Sequence, residues 1–171
     1  MENSEGMNSD PIIKRIRTHD EIKQAANLAE EIWTEHYMPI IGSGQIEYML
    51  DKFQSVNAIS KSMEEGNVYC TVSIDGHPFG YFAIREEDGT FLSKFYVKKK
   101  YRGLGAGKTM FNWIIEFSKS RGINRIWLTC NKYNEKSISI YKHLGFEIID
   151  SVVTDIGSGY VMDDYVMEKK I

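Results

Sequence analysis

Phe91 to Gly107 read FLSKFYVKKKYRGLGAG, and the fold turns on this stretch. It has the character of a strand, a basic turn, a glycine loop and the start of a helix. Phe91, Phe95, Tyr96 and Val97 suit a half-buried strand. Lys98 to Arg102 make a cationic turn, and Gly103, Gly105 and Gly107 then alternate with Leu104 and Ala106. Glycine adopts positive φ and lets a ligand approach the backbone at little steric cost. Free N–H groups at a helix start attract anions, phosphate above all. The local chemistry is that of a phosphate cradle, with a plain glycine-rich turn into a helix as the simpler alternative.

Three phosphate-binding patterns compete for these residues. Gly107, Lys108 and Thr109 supply the second half of the Walker pattern G-x-x-x-x-G-K-[ST], but its first glycine falls on Arg102. The dinucleotide pattern G-x-G-x-x-G starts at Gly103 and needs glycine where Lys108 stands. The pattern Arg-x-x-Gly-x-Gly is met in full by Arg102, Gly105 and Gly107. It resembles the coenzyme A pyrophosphate loop of the GCN5-related N-acetyltransferase (GNAT) superfamily.

Upstream of the loop, Val68 to Ile74 and Phe79 to Arg85 read as strands joined at Asp75-Gly76, and Glu86 to Gly89 turns into the Phe91 strand. Three sequential strands with short turns predict an antiparallel meander. Earlier still, Pro11 to Arg17 suits a first strand. Thr18 and Glu21 have capping-box spacing, which predicts a helix to about Tyr37. Pro39 and Gly42-Ser43-Gly44 break the chain there. Gln45 to about Ser55 and Asn57 to Glu65 read as two short helices. Downstream, a helix from Gly107 to Ser120 leads to a strand, Ile123 to Cys130, which the crossover makes parallel to the Phe91 strand. A short helix, Glu135 to Leu144, precedes two final strands, Phe146 to Val153 and Tyr160 to Met167, joined by a polar loop. The expectation is a disordered tail over residues 1–10 and one α/β domain over 11–171. Its mixed, mostly antiparallel sheet of about seven strands is flanked by helices.

A chain of 171 residues has room for one full core. Its formal net charge of −3 gives no electrostatic case for nucleic acid or anionic membrane. No apolar run reaches membrane-spanning length, and the N-terminus lacks the apolar region of a signal peptide. Cys70 and Cys130 are too few for a disulfide framework and lack metal-ligand spacing. They read as buried thiols in a reducing, cytoplasmic compartment, and no metal site is expected.

A second motif lies in NKYNEKSISIYKHLGFEIID. Asn134, Ser137, Tyr141, Gly145 and Phe146 match the GNAT pattern Asn-x-x-Ala/Ser-x-x-x-Tyr-x-x-x-Gly-Phe, in the expected order after the first. On both motifs the chain resembles the GNAT superfamily over roughly Ile12 to Lys169, and its overall pattern is most similar to bacterial polyamine-type (spermidine/spermine) acetyltransferases. The resemblance implies a sheet splayed between the Phe91 strand and the Ile123 strand, with acetyl-CoA in the opening. It implies that backbone groups of Phe95, Tyr96 and Val97 pair with the pantetheine arm, one N–H polarising the thioester carbonyl. The amides of Arg102, Gly103, Leu104, Gly105, Ala106, Gly107 and Lys108 would hold the pyrophosphate. Asn134 would bond the pantetheine chain, Ser137 would face the same side, and Tyr141 would act as general acid on the departing thiolate.

The implied reaction is direct attack of an amine on acetyl-CoA in a ternary complex. It needs a proton removed from the ammonium, an oxyanion stabilised and a thiolate protonated. The first task has no assigned residue. Many relatives carry a glutamate on the glycine-loop strand, where this chain has Leu92, Ser93 and Lys94. Candidate carboxylates are Glu31 and Glu35 on the first helix, then Glu86 or Glu87. In WTEHYMP, Trp33 to Pro39, the side chains of His36 and Tyr37 join them as candidate acceptor-site residues. The expected function is acetyl transfer to a primary amine of a small molecule, with a polyamine as the narrower expectation. A protein N-terminal or lysine acetyltransferase and a non-catalytic acyl-CoA sensor are the alternatives. The resemblance also implies that dimers are common, and the last two strands offer an edge for a second copy.

Overall fold

The computed structural model describes residues 10–171, so the expected N-terminal tail lies outside the described residues apart from Asp10. The elements follow in the order β1 (Ile12–Arg15), α1 (His19–Ile41), α2 (Ser43–Met49), a π-helical turn (Leu50–Gln54), α3 (Val56–Glu64), β2 (Val68–Ile74), β3 (His77–Glu86) and β4 (Thr90–Val97). A 3₁₀ turn (Lys99–Tyr101), α4 (Ala106–Ser120), β5 (Arg125–Asn131), α5 (Glu135–His143), β6 (Glu147–Gly157) and β7 (Tyr160–Lys170) complete it. Seven strands form one sheet in the order β1-β2-β3-β4-β5-β7-β6. Every neighbouring pair is antiparallel except β4 with β5. The expected α/β class and mixed seven-strand sheet are both present.

The start of α1 follows its sequence signal. Thr18 Oγ1 accepts from the Glu21 amide at 3.2 Å, and the Glu21 carboxylate accepts from the Thr18 amide at 2.9 Å. Its end differs from the expectation, because the helix runs through Pro39 to Ile41. A proline in the last turn deletes one backbone bond near an end that frays anyway, and Gly42, at φ 83°, closes the helix instead. The polar loop expected between the last strands is a tight turn. Ser158 and Gly159 take φ 52° and 78°, the two positive values that a two-residue hairpin demands.

Helices cover both faces of the sheet. One face packs on α4 and α5 through Phe82, Leu92, Met110, Ile114, Leu128 and Met167, all buried. The other packs on α1 to α3 through Leu28, Ile32, Trp33, Met49 and Tyr81, with Ile16, Ile59 and Tyr69 further along. No helix among the described residues is long and apolar enough to cross a membrane.

Two local features open the sheet at its centre. Ala83 pairs with Lys94 while Ile84 pairs with Leu92, so Ser93 is an extra residue on β4. Such a bulge bends the bulged strand and increases its twist. The parallel ladder with β5 is confined to Thr90–Ile126 and Phe91–Trp127, just before the bulge. The closed end is held firmly. The Phe91 and Trp127 rings lie 4.3 Å apart, Trp127 Nε1 donates to Glu87 O at 2.7 Å, and Thr90 and Ser118 share a buried hydroxyl contact of 2.7 Å. Beyond Phe91 the two strands separate, and the candidate site occupies the gap.

Candidate active site

From Leu92 to Val97, β4 keeps its partner β3 on one side and has no strand partner on the other. In an antiparallel pair alternate residues turn their N–H and C=O groups away from that partner. Part of this backbone therefore faces the gap. Side chains of Phe95, Tyr96 and Tyr141 and of β5 residues Thr129, Cys130 and Asn131 line a cavity of about 100 Å³ there, the volume of roughly three waters. It passes through the sheet, from Ser137 and Tyr141 on the α5 side to Trp33 and Tyr37 on the α1 side.

At the edge of the gap, the glycine loop leads into α4. Gly103 and Gly105 take φ 78° and 86°, left-handed values that few other residues adopt. Gly105 is the N-cap of α4 and no side chain caps the helix. The helical bonds begin with the Thr109 amide donating to Gly105 O at 3.1 Å. The amides of the preceding turn are left pointing outward, as at any helix start. Gly107 has no positive φ, and a Cβ there would meet nothing nearer than the Phe95 ring at 3.9 Å. The fold itself does not require glycine at 107. Arg102 folds back, its Nε donating to Val97 O at 3.0 Å. Leu104 and Lys108 are exposed, and Ala106 is buried.

The remaining expected cofactor-side residues gather on α5. Asn134 is 2% exposed. Its Oδ1 caps the helix by accepting from the Ser137 amide at 3.2 Å, and its Nδ2 lies 3.3 Å from His36 Nε2. Ser137 and Tyr141 line the cavity, and the Tyr141 ring centre is 6.1 Å from that of Phe95. Burial, then the nearby Tyr37 and Cys130, push the Tyr141 hydroxyl well above its ordinary pKa. It stays protonated at working pH and can act only as a proton donor there. The buried Cys130 thiol is pushed up to about 12 by the same cause and is no nucleophile.

On the α1 side an aromatic wall closes the cavity. Tyr96 lies 5.5 Å from Trp33, 6.1 Å from Tyr37 and 5.3 Å from Tyr81 between ring centres. Of the acceptor-side residues expected from sequence, Tyr37 lines the cavity. His36 reaches Asn134, and its pKa is lowered by burial and by Arg102. Glu31 sits outside, paired with Lys98 at 3.1 Å, and Glu35 is exposed. Glu86 and Glu87 pair with Arg121 and Arg85 far from the gap.

Two charged residues at the cavity carried no expectation. Lys94 Nζ donates to Phe53 O at 2.5 Å and Tyr69 Oη at 2.8 Å, and burial lowers it to about 7. It ties the π-helical turn to β4. Asp164 is 3% exposed, lines the cavity, and its Oδ1 accepts no hydrogen bond among the described residues. Burial, with Asp163 beside it, raises its carboxyl to about 6. The doubled aspartate of VMDDYVM was the only signal for it.

A family model described as the acetyltransferase (GNAT) family matches residues 25–146. An uncharacterized N-acetyltransferase of Mycobacterium tuberculosis is 30% identical over 103 residues, 59% of this chain and 65% of its own length. A tyramine N-feruloyltransferase of Nicotiana tabacum is 22% identical over 140 residues, 80% of this chain and 61% of its own length. The chain thus spans less than two thirds of the length of these curated relatives. The structure of PaiA N-acetyltransferase from Thermoplasma acidophilum in complex with coenzyme A superposes with a TM-score of 0.80 at 21% identity, covering 95% of this chain and all of that one. At that identity the likeness is one of fold.

Proposed function

The chain belongs to the acetyltransferase (GNAT) family, and from that premise we propose that it transfers an acetyl group from acetyl-CoA to a primary amine of a small molecule. The observation that carries this reading is the gap between β4 and β5. Its ladder ends after Phe91–Trp127, exposing strand backbone on one side and Tyr141 on the other.

Acetyl-CoA is the cofactor of this family, and the residues here fit it. An extended pantetheine arm can pair with the free edge of β4 at Phe95, Tyr96 and Val97, as an added strand does. The uncapped first turn of α4, with Arg102 and Lys108 close by, suits a pyrophosphate. Gly107, which the fold does not require, leaves its backbone open to close approach. Ser137 faces the same space. When bound, acetyl-CoA supplies an activated acyl carbon and a thiolate leaving group.

The chain's own residues supply the rest. A β4 N–H turned into the gap polarises the acyl carbonyl without reorganising. Tyr141 holds a proton for the departing sulfur, because burial keeps its hydroxyl protonated. The rings of Trp33, Tyr37 and Tyr96 keep bulk water from the acceptor side.

The acceptor is less sharply defined. A small amine suits a cavity of about 100 Å³ better than a protein segment does. The named activity of the tobacco relative, toward tyramine, makes an aromatic amine a reasonable member of the panel, and the polyamine expectation supplies spermidine and spermine. The test is release of free thiol from acetyl-CoA across polyamines, aryl-alkylamines, amino acids and peptides, with Tyr141→Phe beside the unaltered protein. Turnover with small amines, strongly reduced by the substitution, supports the reading. Turnover with peptides only, or acyl-CoA binding with no transfer to any acceptor, would overturn it in favour of a protein acetyltransferase or an acyl-CoA sensor.

A further inference from the structure

We propose that Asp164 seats the ammonium of the acceptor and takes its proton, and that the acceptor is a primary monoamine on a flat apolar or aromatic body. The proposal rests on the acetyl-transfer reading and names the group which that reading left unassigned.

Asp164 sits in β7 opposite Asn131 of β5, a register that places both on the α1 face. Its neighbour Asp163 turns to the other face, where Lys132 Nζ meets it at 2.8 Å. The available lysine is therefore used by the wrong aspartate, and the Asp164 Oδ1 is left buried with no donor among the described residues. A buried carboxylate is expensive unless a cation or several donors meet it. A carboxylate left this way beside a cavity fits a site whose cation arrives with the substrate.

The cavity wall says what carries that cation. Trp33, Tyr37 and Tyr96 line the cavity, aromatic surface of the kind that attracts an ammonium and accommodates a flat body. Met162 and Met49 supply adaptable apolar surface around it. Asp164 is the one acid among the described residues that line the cavity. One ammonium is matched by one acid, and a polyamine would bring further charges that no other acid among the described lining residues meets. The titratable groups around Asp164 are few. Tyr37 acts on it from α1 and Cys130 from β5, Asp163 and Lys132 act through the sheet, and Tyr141 and Lys94 stand at the α5 and β4 walls of the cavity. Burial, which holds the carboxyl up to about 6, makes it a stronger base than an ordinary aspartate while leaving it ionised at neutral pH.

The protons balance with Tyr141. The ammonium gives one proton to the Asp164 carboxylate, and the freed lone pair forms the carbon–nitrogen bond as the carbon–sulfur bond breaks. The sulfur takes the Tyr141 proton, and the second proton leaving nitrogen restores the tyrosine. Asp164 then loses its proton to solvent. One amide, one thiol and one proton result.

The decisive experiment is calorimetric titration of the CoA-loaded protein with 2-phenylethylamine and, separately, with spermidine, for the unaltered protein and Asp164→Asn. The substitution should weaken 2-phenylethylamine by roughly 30-fold or more, the cost of removing one partner of a buried charge pair. CoA affinity should change by less than about twofold, since Asp164 is on the α1 face of the sheet, away from the α4 turn and α5 assigned to the cofactor. The rising limb of kcat/KM near pH 6 should vanish in Asp164→Asn and reappear, at reduced amplitude, in Asp164→Glu. Unchanged amine binding in a folded Asp164→Asn, or a preference of the unaltered protein for spermidine, would overturn the proposal. Failure of the acetyl-transfer reading looks different: the unaltered protein would bind the amine through Asp164 yet release no thiol from acetyl-CoA.

Discussion

The first turn of α4, outside the cavity, and the wall beneath α1, which lines it, are the two halves of the proposed site and are built in different ways. At α4 the proposed working groups are main-chain amides, and the side chains around them are absent, exposed, in Ala106 buried or, in Arg102, turned back onto Val97. Under α1 the working surface is side chain throughout. Trp33 and Tyr37 come from one helix, Tyr96 from β4 and Asp164 from β7, at the far end of the chain from the first of them. A backbone site needs only the right dihedrals over a few successive residues. A side-chain site needs several distant elements in register. The first kind suits a ligand shared by a whole family, and the second can change acceptor by changing one wall.

If that division holds, the groups that act on bonds should be separable from the groups that bind the cofactor. Tyr141→Phe removes one hydroxyl that makes no hydrogen bond among the described residues. We expect kcat to fall by about 10²–10⁴-fold, the usual worth of a positioned general acid. CoA affinity and thermal stability should barely move, because the ring contacts with Phe95 and Phe146 persist. Pre-steady-state thiol release and CoA titration measure the two separately. An equal loss in CoA affinity would break the comparison, making Tyr141 part of the cofactor wall.

The same contrast explains what could be read from the sequence. The Arg102–Gly107 pattern is local, so spacing alone locates it, and Asn134, Ser137 and Tyr141 share a helix face at fixed intervals. Asp164 is a matter of register. In VMDDYVM one aspartate must face α1 and the other Lys132, and a slip of one residue exchanges them. The strand pairing decides it, and no residue type announces it. The Ser93 bulge is equally silent, since a bulge is a count of residues opposite one another across two strands. Glu31 and Glu35 lie outside the cavity for a related reason. The stripe Leu28, Ala29, Ile32 and Trp33 faces the sheet, which leaves Glu31 to pair with Lys98 and Glu35 exposed. Pro39 was legible as a breaker but not as one placed late enough in its helix to be tolerated.

A side-chain site should also cost the fold something that a backbone site does not. Asp164 is held at about 6 against an ordinary 3.8, so the folded state resists ionising it. Below pH 3.8 both folded and unfolded chains carry it neutral and there is no penalty. The penalty grows as pH rises from 3.8 to about 6 and is constant above. Asp164→Asn removes it at nearly the same shape. The variant should melt several degrees higher than the unaltered protein at about pH 8, with the gap closing by about pH 4. Equal melting at the higher pH would mean that the carboxylate is already satisfied inside the protein, and the acceptor wall would lose its one strained group.

The smallest effect tests the backbone side from within. Gly105 and Gly107 stand two residues apart in the same loop, yet only Gly105 has the positive φ, 86°, that disfavours a side chain. Gly105→Ala should therefore cost about 1 kcal/mol of stability. Gly107 sits in the first helical turn, and a methyl carbon on it would lie no closer than 3.9 Å to any atom beyond its flanking residues and its own helix backbone. Alanine there should stabilise the fold by about 0.5–1 kcal/mol. Thermal unfolding would show the two changes with opposite sign. CoA titration should show them with the same sign, since a methyl at 107 stands where the ligand must approach the helix and strain at 105 turns the amides away. A Gly107→Ala protein that is more stable and binds CoA unchanged would place the ligand elsewhere on the loop.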